Sequence, residues 1–266
     1  MEWERCKNIL LVFFLILNIT LAALLWHENR RYTVTSEQEQ IIKTIMFRNQ
    51  ISMYDTLIRQ HRPMSSLYVG GFYYSRYELM NIFFAGDIDI THDGDMLIME
   101  DSTGRLIIYE SGFITFDNFS RFDGVTPDEF IYKHFPDFVL DSSSGNWLTF
   151  RQVYRDRIIH SNTIDIFVRD DNITHIEMLF GQVIGLTGEN QEIFSSALAL
   201  LSFIQSARGI FPDTPIIITR MDLAFFQDYG SPDPQGVYLA VPYYRIFIEG
   251  NDMPFLINAL TNNVRY

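Results

Sequence analysis

Residues 9–26 read ILLVFFLILNITLAALLW, eighteen consecutive residues without a charge. A helix rises about 1.5 Å per residue and the hydrocarbon core of a bilayer is roughly 30 Å thick, so a span needs about 20 mostly apolar residues. Extending the run to Asn8 and His27 meets that length. Trp3 and Trp26 stand where indole rings favour the headgroup layer, with Arg5 and Lys7 before the run and Arg30 and Arg31 after it. The sequence therefore predicts a cytoplasmic tail at 1–7, a transmembrane helix at 8–27 and an exported remainder. A cleaved signal peptide fits less well, because its apolar region runs only about 7–15 residues and ends at a small-x-small site. Here Ala22-Ala23 is followed by Leu24-Leu25-Trp26. Mass sets the orientation: a short head stays inside, and long domains cross largely regardless of charge.

Residues 1–31 hold four basic and three acidic side chains, so of the chain's net charge of −13 the part beyond residue 31 carries 16 − 30 = −14. An acidic surface of that size argues against nucleic acid as a partner and against docking on anionic lipid. The 23 Phe and 14 Tyr, many in alternating runs, give the chain a β composition. The single cysteine, Cys6, precedes the apolar run, so the exported part has no disulfide framework and relies on its core, as many Gram-positive exported proteins do.

After the apolar run, Ser36-Glu37-Gln38-Glu39 predicts a capping box, with a helix carrying an apolar face from Ile41 to about Gln60 and closed by Pro63. Leu79–Phe84, Ile88–Thr91, Met96–Glu100, Arg105–Glu110 and Phe113–Phe116 then read as an antiparallel meander, because the connections are too short for crossover helices. Thr126-Pro127-Asp128-Glu129 opens a second helix, to about Phe135. Ser142–Asn146 is expected as a loop, followed by strands at 147–156, 159–169 and 173–184. Thr187 is expected to cap a third helix, Glu189–Arg208, ahead of strands at 216–228, 237–249 and 255–260, with residues 231–236 as the long turn. The reading is an α+β fold in which a helix followed by antiparallel strands occurs three times. The exported part divides into subdomains at 28–125 and 126–266, with a further division near 186.

The sharpest chemical motif is Asp89–Glu100, DITHDGDMLIME, which places oxygen ligands, Gly94 and Glu100 as a calcium loop does. Thr91 and Leu97 depart from that pattern and strands flank it, so a β-hairpin turning at Asp93-Gly94 accounts for the same residues. The six histidines are scattered, with no H-E-x-x-H, and neither G-x-S-x-G nor G-x-x-x-x-G-K-[ST] occurs. No catalytic residue, cofactor site or metal site is assigned. Asp222 lies in an apolar strand, as a buried acid or as a solvent-facing one. Asn18 has two readings of equal weight: an amide that bonds to a neighbouring membrane helix, or one that bonds to its own helix's carbonyls.

Met1-Glu2-Trp3-Glu4-Arg5 running into an apolar segment centred on Leu17-Asn18-Ile19, with Pro242-Tyr243-Tyr244-Arg245-Ile246 and Phe255–Thr261 closing the chain, resembles the YycI (WalI) family. Tyr244 stands where that family's closing hairpin has Trp, and Asn262 where it has Gly. The hairpin is shared with PepSY-like domains generally. The resemblance implies a PepSY/YycH-like exported domain on a single span. It also implies a role as accessory regulator of the WalK/WalR (YycG/YycF) two-component system in cell-wall metabolism, not an enzyme, with a sensor histidine kinase and a YycH-like protein as partners. On that reading Leu11, Phe14, Leu15, Asn18, Ala22 and Leu25 form the helical face that packs against a partner helix. The rival expectation is an anchored extracytoplasmic PepSY-like inhibitor or wall-associated enzyme.

Overall fold

The computed structural model describes residues 2–72, 74–212, 214–227 and 236–265. Helix α1 (Glu2–Arg31) leads into α2 (Ser36–Arg48). Between them the backbone is pinned to the domain, with Val34 N–H donating to the Arg59 carbonyl at 2.8 Å and His61 N–H to the Tyr32 carbonyl at 3.0 Å. Next come β1 (Ile51–Met53), β2 (Leu67–Phe72) and α3 (Arg76–Phe83). A four-strand meander follows: β3 (Asp89–Asp93), β4 (Met96–Asp101), β5 (Gly104–Tyr109) and β6 (Ile114–Asn118). Helix α4 (Pro127–His134) precedes β7 (Phe138–Ser144), β8 (Trp147–Tyr154), β9 (Arg157–Arg169), β10 (Asn172–Leu179) and β11 (Gly181–Leu186). The chain closes with α5 (Ser196–Ile210), β12 (Ile216–Gln227), β13 (Tyr238–Ile248), β14 (Phe255–Asn258) and β15 (Val264–Arg265).

The fold is mixed α+β, with five helices and one large sheet among the described residues. The strands of all three expected rounds hydrogen-bond into that single sheet, whose main path runs β11-β2-β13-β12-β9-β10-β6-β5-β4-β3. Pairing is antiparallel except where β12 runs parallel to β1 and touches β9. The turns obey local chemistry: Asp170 and Asp171 both take positive φ between β9 and β10, as a tight hairpin with right-handed strand twist requires.

Two main cores flank the sheet. One packs Ile42 and Met46 of α2 and Leu200 and Phe203 of α5 against Ile218, Tyr244 and Ile257. The other packs α3 and α4 on the meander and β7–β10, with Phe83 4.6 Å from Phe116 and Phe122 4.8 Å from Phe130, ring centre to ring centre. Each fully buried Phe contributes roughly 1.5–3 kcal/mol. A small third cluster of Leu67, Val69, Ile159, Phe225 and Ala240 lies on β2, β9, β12 and β13.

Several expected boundaries move, each for a physical reason. The capping box of α2 is one residue earlier, with Thr35 Oγ1 accepting from Gln38 N–H and Gln38 reaching back to Thr35 N–H. The helix ends at Arg48, with Asn49 as its cap, rather than running to Gln60, because Gln50 turns to positive φ and Ile51 enters a parallel pairing with Ile216. Leu79–Phe84, expected as a strand, is mostly α3: Ser75 and Glu78 form a capping box, and Leu79, Ile82 and Phe83 share a buried stripe. Ser142–Ser144 belong to β7, their polar side chains lying in a strand that pairs with Trp147–Thr149. Helix α5 starts at Ser195 as cap, not at Thr187, because residues 187–194 are held by other partners: Thr187 N–H by Ser66, Gln191 by Met64 and Phe194 N–H by Ala259. The expected turn at 231–236 falls outside the described residues except for Gly236. The meander at 88–116, the helix opening at Pro127 and the closing strands stand as the sequence predicts.

Candidate functional site

From Leu10 to Leu17, eight consecutive large apolar side chains of α1 are exposed, between 42% and 64%. Leu11, Phe14, Leu15, Asn18, Ala22 and Leu25, the face singled out from sequence, all lie on this exposed helix. A helix apolar all round belongs inside a protein core or a membrane, and residues 10–25 of this one are all exposed. Among the described residues no helix is long and apolar enough to cross a membrane. In α1 the unbroken run of described side chains covers only residues 10–25. Asn18 Nδ2 donates to the Phe14 carbonyl at 2.9 Å and Thr20 Oγ1 to the Ile16 carbonyl at 2.8 Å, both one turn back in the same helix. A carboxamide has more hydrogen-bonding capacity than that single bond uses.

The second feature is a buried ion cluster that sequence reasoning did not assemble. Arg245, on β13, is fully enclosed. Its Nη1 and Nη2 meet Asp141 of β7 at 2.7 and 3.0 Å, and its Nε and Nη2 meet Asp222 of β12 at 2.7 Å each. Asp141 also accepts from Arg151 Nε of β8 at 2.9 Å and from Arg220 Nη2 of β12 at 2.8 Å. Arg220 lies 3.9 Å over the Phe247 ring, and the His160 carbonyl on β9 accepts from Arg151 Nη1. The cluster thus ties β7, β8 and β9 to β12 and β13.

The electrostatics follow from this packing. Burial alone would raise the Asp141 carboxyl, but the hydrogen bonds and charge of Arg245, joined by Arg220 and Arg151, hold it down at about 2. Burial, aided by Arg151 and Arg245, lowers the His160 imidazole to about 3, so it is neutral at ordinary pH. Burial opposes the charge of Arg245, yet its two carboxylates raise its pKa. These groups keep fixed charge states near neutrality, which suits anchoring and not proton transfer.

Asp222 is the residue left open from sequence. It is partly exposed and paired, and it sits directly across from Arg245 in the β12–β13 register. Two charges of opposite sign at facing positions of apolar strands are a readable signal once those strands are paired. The Asp89–Glu100 segment folds as the hairpin β3–β4, with Asp89 opposite Glu100 and Gly94 at positive φ in the turn. Among the described residues no three His, Cys, Asp or Glu side chains are grouped to hold a metal ion.

No protein-family model matches the chain, and no curated protein matches it. Among solved structures, a protein from Eubacterium rectale is similar over 81% of this chain and 89% of its own, at 10% identity and a TM-score of 0.48. The C-terminal domain of Bacillus megaterium YpeB is similar over 71% of this chain and 94% of its own, at 14% identity and a TM-score of 0.40. At these scores neither likeness carries an argument about what this chain does.

Proposed function

We propose that the protein is a single-pass membrane protein with its amino terminus in the cytoplasm, and that α1 is its working surface. In this reading α1 packs laterally against the membrane helices of a sensor histidine kinase and a YycH-like partner. The domain beyond it biases that contact, so the protein regulates kinase output by binding rather than by catalysis, with cell-wall metabolism as the process controlled. One observation carries the proposal: eight consecutive large apolar side chains stand exposed on a continuous helix. Leaving that many in water is disfavoured by on the order of 10–20 kcal/mol relative to burial. Lipid or another helix removes the penalty.

The junction supports transmission. Arg31 Nη2 bonds Glu192 Oε1 at 2.8 Å, Thr33 bridges to Gln60, and Val34 is buried in the core that holds α2 and α5. The hairpin residues that carry the YycI resemblance, Pro242–Ile246 and Phe255–Thr261, lie on and beside the paired strands β13 and β14. Co-purification with the kinase tests the reading, comparing the natural chain with Asn18→Leu. A bond worth about 1 kcal/mol corresponds to roughly fivefold weaker association in the variant. Unchanged association together with unchanged kinase output would remove Asn18 from the contact.

A further inference from the structure

Gly71, in β2, has no conformational reason to be glycine. Its φ lies outside the left-handed region, and a Cβ built on it meets no atom within 4 Å. Glycine inside a strand costs roughly 0.5–1 kcal/mol relative to alanine, and it commonly marks a place where a ligand or another backbone comes close. What Gly71 borders is a cleft of about 130 Å³ on the face formed by β2, β9, β12 and β13. The Ser111-Gly112 turn forms another part of its wall, and Ser161, Asn162 and Gln227 contribute buried polar groups.

Those polar groups are aimed by a bulge. Arg151 pairs with Thr163 and the next β8 residue, Gln152, pairs with Ile159, so His160, Ser161 and Asn162 have no opposite number on β8. Bulges of this kind redirect side chains and gather beside functional sites. Asn162 Nδ2 donates to Gln152 Oε1 at 2.6 Å and to the Gly181 carbonyl at 3.1 Å, while Gln227 N–H donates to Ser161 Oγ at 3.4 Å. The wall is therefore pre-organised before anything binds.

We propose that this cleft is a binding site for an uncharged amide group, such as one peptide unit of an extended chain. The Gln227 carboxamide, the Ser161 hydroxyl and glycine backbone present donors and acceptors together, which matches the paired C=O and N–H of an amide, while Asn162, bonded to Gln152 and through both ends of its amide to Gly181, holds the wall in place. Among the described residues no carboxylate, guanidinium, ammonium or imidazole lines it. A carboxylate, phosphate or ammonium would lose its hydration there without a counter-charge. The proposal is independent of how α1 engages its partners.

The test is saturation-transfer difference NMR of N-acetylglycinamide with the full chain in detergent micelles. The natural protein should transfer signal to the acetyl and methylene protons with millimolar saturation. Gly71→Leu should fill the cleft and cut that signal at least tenfold, with melting temperature and circular dichroism unchanged. Ser111→Leu, from a different part of the wall, should do the same and serves if the first variant misfolds. An absent signal in the natural protein, or equal signals in folded variants, overturns the proposal.

Discussion

Arg245 shows how a residue can decide an architecture without touching a ligand. A guanidinium at zero exposure survives because two carboxylates grip it through four hydrogen bonds. Burying such a pair gains little net free energy, but removing one partner leaves an uncompensated charge and costs about 3–5 kcal/mol. Asp141→Leu, which strips Arg245, Arg151 and Arg220 of the carboxylate they share, should therefore lower stability by that amount in denaturant unfolding, whereas removing the partly exposed Asp222 should cost less. Acid sensitivity follows from the same group. Asp141 is depressed from 3.8 to about 2, so its contribution is complete above about pH 4 and fades as pH falls toward 2. His160 is depressed from 6.5 to about 3, so the unfolded chain binds a proton that the folded chain refuses, and stability also falls as pH drops below about 6. The melting temperature should decline between pH 6 and 3, and His160→Gln should flatten the part above pH 4. A decline with the same slope in that variant would show that other groups govern it. Little of this cluster was legible in the sequence. Asp141 and Arg151 follow one another closely, but Arg245 joins them only after β7 has been brought over β13, and no local pattern encodes that approach.

Three of the helices begin with the same device. Thr35/Gln38, Ser75/Glu78 and Thr126/Glu129 each satisfy two amides reciprocally. The helix start at Thr126 is plain in the sequence because Pro127 and two acids mark its first turn. The one at Ser75 was hidden behind the aromatic, β-prone look of Leu79–Phe84, where capping outweighs composition. The one at Thr35 was displaced by a neighbouring serine that could have served. Thr35→Ala should lower stability by about 1 kcal/mol while Ser36→Ala changes it little, and Ser75→Ala should match the first. Chemical denaturation of the three variants checks the assignment, and a larger loss for Ser36→Ala would return the cap to Ser36. The hairpins read well for a related reason: alternation and turn residues are local, so β3–β6 and β12–β14 could be placed by inspection.

At the scale of the whole molecule the chain pairs parts that lie far apart in sequence. β2 hydrogen-bonds β11 and β13, and α2 shares a core with α5, so residues near 34–64 and 193–264 close around the segment between them. Periodicity reports which face of an element is apolar but not which distant face will cover it, which is why the common sheet was not readable while its strands were. The apolar segment was readable because its whole length is one signal. The proposed function depends on where that helix resides, and the lone thiol at Cys6 gives a direct measurement of it. In intact spheroplasts expressing the full chain, a membrane-impermeant maleimide should leave Cys6 unlabelled until the cells are lysed. An added thiol in the Thr261→Cys variant should react at once, and Leu17→Lys, with a charge at mid-span, should release protein from the membrane fraction. Labelling of Cys6 in intact cells, or full recovery of the natural chain in the soluble fraction, would rule out a membrane-spanning α1 with a cytoplasmic amino terminus.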